Sequence, residues 1–276
     1  MINESPHPEP RRRTRLTRRG RLVLMASTLA AATAVAVPLL GETPADTKTL
    51  LIPEGWRASQ VYTAVDQALD LPEGTTREAA TADGTALRLP DAAKGNPEGF
   101  LFPATYPFAA DTTPQDLLGY MARTAGKRFG TDRITAGAQR HGLSTYETVT
   151  IASIVQAEAD TAEDMGKVAR VVHNRLARDM PLQMDSTINY ALGRSTLDTT
   201  HQDTRTDSPY NTYARKGLPP TPIDNPGEQA MKAAVTPTPG DWLYFVTVKP
   251  GDTRFTASYE EQRRNVEEFN RHRKGA

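Results

Sequence analysis

The acidic side chain best placed for chemistry in this sequence is Glu158, near the end of a predicted helix. Ser144 and Glu147 form the capping-box pattern that starts a helix. Ile151, Val155 and Glu158 then follow at positions i, i+4 and i+7. This spacing predicts a carboxyl on an apolar face near the helix C-terminus, where burial and the helix dipole both raise its pKa. A carboxyl that stays protonated near neutral pH can act as a general acid on a glycosidic oxygen.

A second helix, predicted for residues 162–178, carries Arg175 on its inner face together with apolar side chains: Val168, Val171, Val172 and Leu176. Arg175 could pair with a carboxylate such as Asp185. Alternatively, its stem packs while its guanidinium reaches water. A structural role is open for Glu158 as well, because a Glu in this position could pair with an Arg or cap a neighbouring loop.

Composition excludes several kinds of site. The 276 residues contain no Cys, which rules out disulfides, thiolate metal sites and Cys nucleophiles. The five His are scattered, with no metal-binding spacing, so we predict no metal and no cofactor. The formal net charge is zero, but residues 1–21 hold seven Arg against two Glu, which leaves the body mildly acidic. Such a body lacks the basic face that nucleic-acid binding needs.

The N-terminal sequence predicts a membrane anchor. An apolar run at 22–40 has the ~19 residues that span a bilayer core, and the preceding Arg cluster predicts a cytoplasmic N-terminus. A cleaved signal peptide is the alternative, because Ala34-Val35-Ala36 fits a cleavage site and Arg18-Arg19 fits a twin-arginine signal. In either case, the rest of the chain is expected to act outside the membrane.

We therefore predict four regions: a disordered basic tail at 1–21, a transmembrane anchor at 22–41, a small segment at 42–110 and a larger domain at 111–276. Within the small segment, the pattern predicts a strand at 49–52 and a helix at about 58–69. A further helix is predicted to begin after Thr113, with Pro114 at its first position.

Motifs spread from residue 51 to 246 resemble those of a known family, the endolytic murein transglycosylases or YceG-like proteins. Each motif alone is weak, but their order along the chain matches the family throughout. The matching stretches are Leu51–Trp56, Glu98–Tyr106, Ile151–Ala159, Lys167–Leu176, Met180–Thr187, Ser208–Tyr213, Gly217–Ile223 and Trp242–Val246.

The resemblance implies an α+β fold, with an incomplete LysM-like segment at 42–110 followed by a mainly helical catalytic domain. It also implies a single-pass membrane protein that cleaves peptidoglycan glycan strands between N-acetylmuramic acid and N-acetylglucosamine. Such enzymes use no water and leave a 1,6-anhydromuramyl end. The family's catalytic acid corresponds to Glu158. A role in terminating nascent strands, alongside peptidoglycan synthases, is implied as well.

The remaining matched residues suggest a substrate groove. We expect substrate contacts from Gln183, Asp185, Tyr210, Asn211, Thr212, Tyr213 and Leu218. The two Tyr offer faces for sugar rings, and the Leu218 loop, stiffened by two Pro, forms a wall. Asn174 and Arg175 are expected to shape the site. A turn with one buried Tyr at 210–213, and loop-fixing roles for Gln183 and Asp185, are the alternatives.

Two departures from the family pattern bear on activity. The first acid of the family's E-x-E pair is Gln156 here, and a separation of about 200° around the helix predicts that it faces away from Glu158. We expect Gln156 to tune the site. The region between anchor and Leu51 is also shorter than usual. One alternative function is therefore a catalytically silent, membrane-anchored glycan-binding scaffold. Another is a hydrolase, with Asp185 as a second carboxylate.

Overall fold

A computed structural model describes residues 47–82, 87–194 and 199–275. The basic tail and the anchor predicted at 1–21 and 22–41 lie outside these ranges. Within the described ranges, no helix is both long enough and apolar enough to cross a membrane.

The first part of the chain forms a strand–helix–helix–strand arrangement. Strand β1 (Lys48–Leu51) pairs antiparallel with β2 (Thr105–Phe108), and Leu50 lies opposite Tyr106. Helices α1 (Ala58–Ala68) and α2 (Thr75–Ala82) lie between them in sequence. The strand predicted at 49–52 and the helix predicted at 58–69 are therefore confirmed to within one residue.

Helix α3 (Pro114–Phe129) joins two hydrophobic cores. Thr113 caps it through a capping box and Pro114 opens it, as the sequence predicts. Its first half packs Leu117 and Leu118 into a core with the strand–helix–helix–strand part, while Phe129 belongs to the larger second core. The boundary predicted at 110/111 stays a prediction.

Helix α5 (Thr145–Glu158) runs through the larger core. Its capping box at Ser144 and Glu147 is confirmed. All residues from Thr148 to Val155 are buried, so the helix has no solvent-facing side along this stretch. The spacing predicted that Glu158 lies on one apolar face, but the helix has no single apolar face. It is the last residue of a helix that is buried on every side from 148 to 155 and is exposed only in its first and last turns.

The elements around α5 complete the fold. Helix α6 (Ala162–Ala177) buries Val168, Val171 and Val172, the inner face predicted from sequence. The others are α4 (Asp132–Arg140), α7 (Asp185–Ala191), α8 (Glu228–Val235), the antiparallel pair β3 (Tyr244–Lys249) and β4 (Asp252–Thr256), and α9 (Tyr259–Gly275). In its described parts the chain is helix-rich with two small antiparallel sheets, which confirms the α+β class.

Candidate active site

An acid-rich cavity of about 610 Å³ opens at the end of α5. Its wall combines the last turn of α5, the first turn of α7, the loop after β1 and the loop before α8. A volume of this size is typical of small-molecule sites in proteins. Its lining residues include Glu54, Arg57, Gln156, Glu158, Asp160, Asp185, Ser186 and Asp224.

Glu158 is held in this cavity by the start of α7. The Ser186 hydroxyl donates to Glu158 Oε1 at 2.6 Å, and the Ser186 backbone N–H donates to the same oxygen at 3.3 Å. Burial raises the pKa of Glu158. The two hydrogen bonds from Ser186 lower the pKa in part, while the nearby charge of Asp185 raises it further. Burial dominates, so the arrangement favours the protonated acid.

The two carboxyl oxygens of Glu158 differ in their surroundings. Oε1 accepts both hydrogen bonds from Ser186, whereas no residue of 47–82, 87–194 or 199–275 hydrogen-bonds Oε2. A carboxylic acid carries its proton on the oxygen that is not already an acceptor of donated hydrogens. The acidic proton is therefore directed to Oε2, which is left for a ligand.

Asp185 and Tyr213 lie next to this acid. The Tyr213 hydroxyl donates to Asp185 Oδ1 at 2.5 Å. Burial and this bond to a carboxylate raise the pKa of Tyr213, with the charges of Asp185 and Glu158 adding to the effect. Asp185 lines the cavity, so two of the predicted substrate contacts do lie beside Glu158.

Asn211 and Thr212, which were expected to contact substrate, are not among the residues that line this cavity. Both are almost fully buried. The Asn211 amide donates to the carbonyls of Thr204 and Thr206, and its oxygen accepts from the backbone of Tyr213 and Ala214. The Thr212 hydroxyl accepts from Met184 N–H and shares a bond with Thr187. Because their polar atoms are used within the chain, they fix the loop and present nothing to the cavity.

Tyr210, Gln183 and Leu218 also lie away from the cavity wall. Tyr210 packs on the Tyr190 ring, with 4.9 Å between centroids, and its hydroxyl bonds Thr221. Gln183 has a positive φ of 52°, and its side-chain oxygen accepts from Arg175. Leu218 packs against the larger core. The position of Gln183 fits the loop-fixing alternative, whereas substrate contact by Tyr210 and Leu218 stays a prediction.

Arg175 does not pair with Asp185. Its guanidinium is buried and donates to the backbone carbonyls of Leu243, Pro181 and Leu182, as well as to Gln183. The interpretation that its guanidinium reaches water is wrong for the same reason. Asn174 beside it donates to the carbonyls of Gly240 and Trp242. Both side chains hold loops in place, at a distance from the cavity lining.

Gln156 does not face away from the Glu158 site. It lines the same cavity, and its side-chain oxygen accepts from the Gly227 N–H at the start of α8. A separation of about 200° around the helix does not keep Gln156 out of the site, because the cavity wraps around the end of α5 and residues 156, 157 and 158 all border it. Gln156 thereby ties α5 to the loop that forms the opposite wall.

The sequence did not single out the cavity residues Ser186, Arg57 and Asp224, nor the buried Glu98, whose charge acts on Asp224. Ser186 and Glu98 do fall inside the motifs of Met180–Thr187 and Glu98–Tyr106, which was the available signal. Burial raises the pKa of Glu98 to about 7, although bonds from the Ala58 N–H and Tyr190 hydroxyl act against this. In the part of the chain that the structure describes, no three His, Asp or Glu side chains converge as a metal site.

Comparison with known proteins identifies the family to which this chain belongs. The sequence pattern of the YceG-like family matches residues 19–268. The chain belongs to the YceG-like family. A crystal structure of a YceG-like protein from Listeria monocytogenes superposes with a TM-score of 0.68 at 30% identity, covering 78% of this chain and 74% of that one.

The curated relatives carry a functional name. The endolytic murein transglycosylase of Bacillus subtilis is 37% identical over 173 residues, which is 62% of this chain and 48% of the relative. That of Streptococcus pneumoniae is 33% identical over 249 residues, 80% of this chain and 44% of the relative. The chain thus spans about half the length of these relatives.

Proposed function

We propose that this YceG-like protein is an endolytic lytic transglycosylase that cleaves peptidoglycan strands between N-acetylmuramic acid and N-acetylglucosamine. Glu158 is its acid and base. The observation that carries the proposal is the asymmetry of this carboxyl in a side chain that lines the cavity: Ser186 holds Oε1, whereas no residue of the described ranges hydrogen-bonds Oε2. The name shared by the Bacillus subtilis and Streptococcus pneumoniae relatives supports the same reaction.

The first step is protonation of the leaving group. Protonated Glu158 gives its Oε2 proton to the glycosidic oxygen, and the bond from that oxygen to C1 of the muramic acid breaks. The electron pair leaves with the N-acetylglucosamine hydroxyl, and C1 develops oxocarbenium character. The raised pKa of Glu158 increases the fraction of protonated acid that this step needs.

The second step closes the anhydro ring. Glu158, now a carboxylate, takes the proton from the C6 hydroxyl of the same muramic acid, and O6 forms the new bond to C1. The acid is regenerated, and no water is consumed. One carboxyl with a raised pKa therefore serves both steps, whereas a retaining hydrolase needs a second carboxylate as its nucleophile. Asp185 Oδ1 is already occupied by the Tyr213 hydroxyl, which makes it a weaker candidate for that second role.

We further propose that the enzyme acts on the outer side of the cell membrane, held by an anchor at 22–41. The apolar run and the Arg cluster before it support this placement. Strand termination alongside peptidoglycan synthases, and glycan contact by a LysM-like segment at 42–110, belong to the same proposal. Asp185 and Tyr213 are its substrate-contacting residues beside Glu158.

Product analysis tests this function. Uncross-linked glycan strands are digested with the purified protein and with Glu158→Gln, and the new ends are weighed by mass spectrometry. The wild type is expected to release products one water lighter than hydrolytic products, and the variant none. Reducing muramic acid ends from the wild type would instead support a hydrolase. Absence of products, with a related enzyme active in parallel, would support a glycan-binding scaffold.

A further inference from the structure

A second buried acid, Asp224, borders the cavity and has no part in the two steps above. It lies in the loop before α8 and is only 4% exposed. Its Oδ1 is buried without a hydrogen-bond partner, and no Lys or Arg of the described ranges forms an ion pair with it. A buried carboxylate without a cation is costly, so the neutral acid is the favoured form.

The backbone on both sides of Asp224 is clamped. The Ile223 N–H donates to the Ser153 hydroxyl at 3.0 Å. The Asn225 N–H donates to the Trp56 carbonyl at 2.9 Å, and the Asn225 side chain accepts from Leu101 N–H. Because Ser153, Trp56 and Leu101 hold this loop, the backbone of Asp224 is fixed where the residue lines the cavity. Its position at the cavity wall is built into the fold.

Two charged groups lie close enough to Asp224 to influence it. Burial raises the pKa of Asp224 well above its usual value, the charge of Glu98 raises it further, and Arg57 acts in the opposite direction. Arg57 is committed elsewhere, because it donates to the Arg194 carbonyl and stacks over the Tyr190 ring at 5.1 Å. Arg57 therefore does not neutralise Asp224.

We propose that Asp224, as a neutral carboxylic acid, donates a hydrogen bond to the acetamido carbonyl oxygen of a sugar bound beside Glu158. The inference rests on the proposed function, since it assumes a glycan in this cavity. It assigns the cavity a second polar anchor, one that selects N-acetylated sugars.

The chemistry of the glycan identifies the acceptor. Sugar hydroxyls can donate as well as accept, so they bind an ionised carboxylate as readily as a neutral acid. An acetamido carbonyl oxygen only accepts, and it is a stronger acceptor than a ring or glycosidic ether oxygen. It therefore needs the protonated form of Asp224. A carboxyl kept neutral by an apolar site is a known hydrogen-bond donor in enzymes.

The pH dependence of this contact has a definite sign. Raising the pH removes the proton from Asp224 and turns the donor into a charged acceptor, which repels the carbonyl. The cavity is also lined by Glu54, Glu158, Asp160 and Asp185, but the acid whose charge acts on Asp224 and delays this ionisation is Glu98. Affinity for an N-acetylated glycan should therefore be high at low pH and fall as Asp224 ionises.

The test measures binding to the full chain in a Glu158→Gln background, where nothing is cleaved. The probe is a tetrasaccharide of alternating N-acetylglucosamine and N-acetylmuramic acid without stem peptides, titrated calorimetrically from about pH 5 to about pH 9. We expect affinity to fall about tenfold across this range. Adding Asp224→Asn, which keeps a neutral donor of the same size, should flatten the pH dependence. Asp160→Asn, a matched exposed acid of the same cavity, should leave it in place.

A second probe identifies the sugar group. Removing the acetyl groups from the tetrasaccharide should cost about tenfold more affinity in the Glu158→Gln protein than in the protein that also carries Asp224→Leu. Equal losses, or a pH dependence that persists in Asp224→Asn, would overturn the inference, as would absence of binding by every variant. Digestion of strands by the wild type is scored separately, so anhydro products with a failed Asp224 test would leave the proposed function standing.

Discussion

Two buried charged side chains on consecutive helices, Glu158 at the end of α5 and Arg175 on α6, have opposite surroundings. Arg175 donates to three backbone carbonyls and one side-chain oxygen, and its guanidinium stacks on the Tyr244 ring at 5.1 Å. Glu158 lines the cavity and has two donors on one oxygen, both from Ser186, while no residue of the described ranges hydrogen-bonds its other oxygen. Arg175 is thus satisfied by the chain itself, whereas Glu158 is satisfied only on one side.

This difference distinguishes a buried ionisable group with a structural role from one that is placed to react. A buried group whose hydrogen-bonding capacity is filled stabilises the fold, and its removal leaves orphaned partners behind. A buried group with one unfilled atom at a cavity is retained at a cost to stability, and its removal affects chemistry or ligand binding. Glu158 and Asp224 belong to the second kind, and Arg175 and Asn211 to the first.

The largest effect is expected for Glu158→Gln. The amide cannot donate an acidic proton, so the rate of strand cleavage should fall by about 10²- to 10⁴-fold. The free energy of unfolding should be unchanged or slightly higher at neutral pH, because a buried carboxyl is replaced by a neutral group. Glu163→Gln on exposed α6 surface is the matched control for rate. A loss of rate that merely follows a loss of folded protein would show that Glu158, like Arg175, has a structural role.

Arg175→Met should show the opposite behaviour. Removing the guanidinium leaves the buried carbonyls of Leu182 and Leu243 without donors, so the free energy of unfolding should drop by about 3 kcal/mol or more. Urea denaturation followed by circular dichroism measures this. The neighbouring Arg178, which is exposed, provides the control, and Arg178→Met should cost less than about 0.5 kcal/mol. A stable Arg175→Met variant with abolished cleavage would contradict the structural assignment.

The buried acid Glu98 should make the free energy of unfolding depend on pH. Its pKa is raised from 4.5 to about 7, so the folded protein holds this proton more tightly than the unfolded chain does. The free energy of unfolding should therefore fall by roughly 3 kcal/mol as the pH rises from about 4.5 to about 7, with no further loss from this group above that range.

Denaturation across this pH window, for wild type and Glu98→Gln, tests the Glu98 contribution. Gln can still accept from Ala58 N–H and bond Tyr190, so the variant should fold and show a smaller slope of stability against pH. Glu54, Glu158 and Asp224, whose pKa values are also raised, contribute to the slope that remains. An unchanged slope in Glu98→Gln would show that groups other than Glu98 cause the pH dependence of stability.

The smallest effect is expected for Ser186→Ala. Its hydroxyl lowers the pKa of Glu158, so removing it should raise that pKa and shift the loss of activity at alkaline pH to higher values. Loss of orientation should also reduce the rate by about three- to tenfold. Ser186→Thr keeps a hydroxyl and should restore the wild-type pH–rate profile. A shift towards lower pH in Ser186→Ala would be incompatible with this hydrogen bond.

Local features of the fold were predictable because their signals are local. The capping box of Ser144 and Glu147 fixes the start of α5, and Thr113 with Pro114 fixes the start of α3. A short apolar run before a turn predicted β1, and helical spacing predicted α1 and the inner face of α6. The match to the YceG-like family came from eight short motifs in order. Each of these signals lies within about one helix length of sequence.

The cavity could not be predicted in the same way, because its contacts join distant segments. Ser186 meets Glu158 across 28 residues, and the Leu101 N–H meets Asn225 across 124. The pairing of Arg175 with Asp185 could not be decided from the sequence for a related reason. Arg175 donates instead to the backbone carbonyls of Pro181 and Leu182, which follow the helix end. Helical spacing also failed for Gln156, because it assumes one partner surface whereas the cavity encloses the helix end.

The central claim is that Glu158 drives cleavage without water, and digestion in oxygen-18 water tests it most directly. Glycan strands are incubated with the wild-type protein in labelled water, and the new muramyl ends are analysed by mass spectrometry. The account predicts anhydro ends that carry no oxygen-18, formed at a rate that depends on Glu158. Reducing ends that each carry one labelled oxygen would contradict it, because they would show that water, and not the C6 hydroxyl, attacks C1.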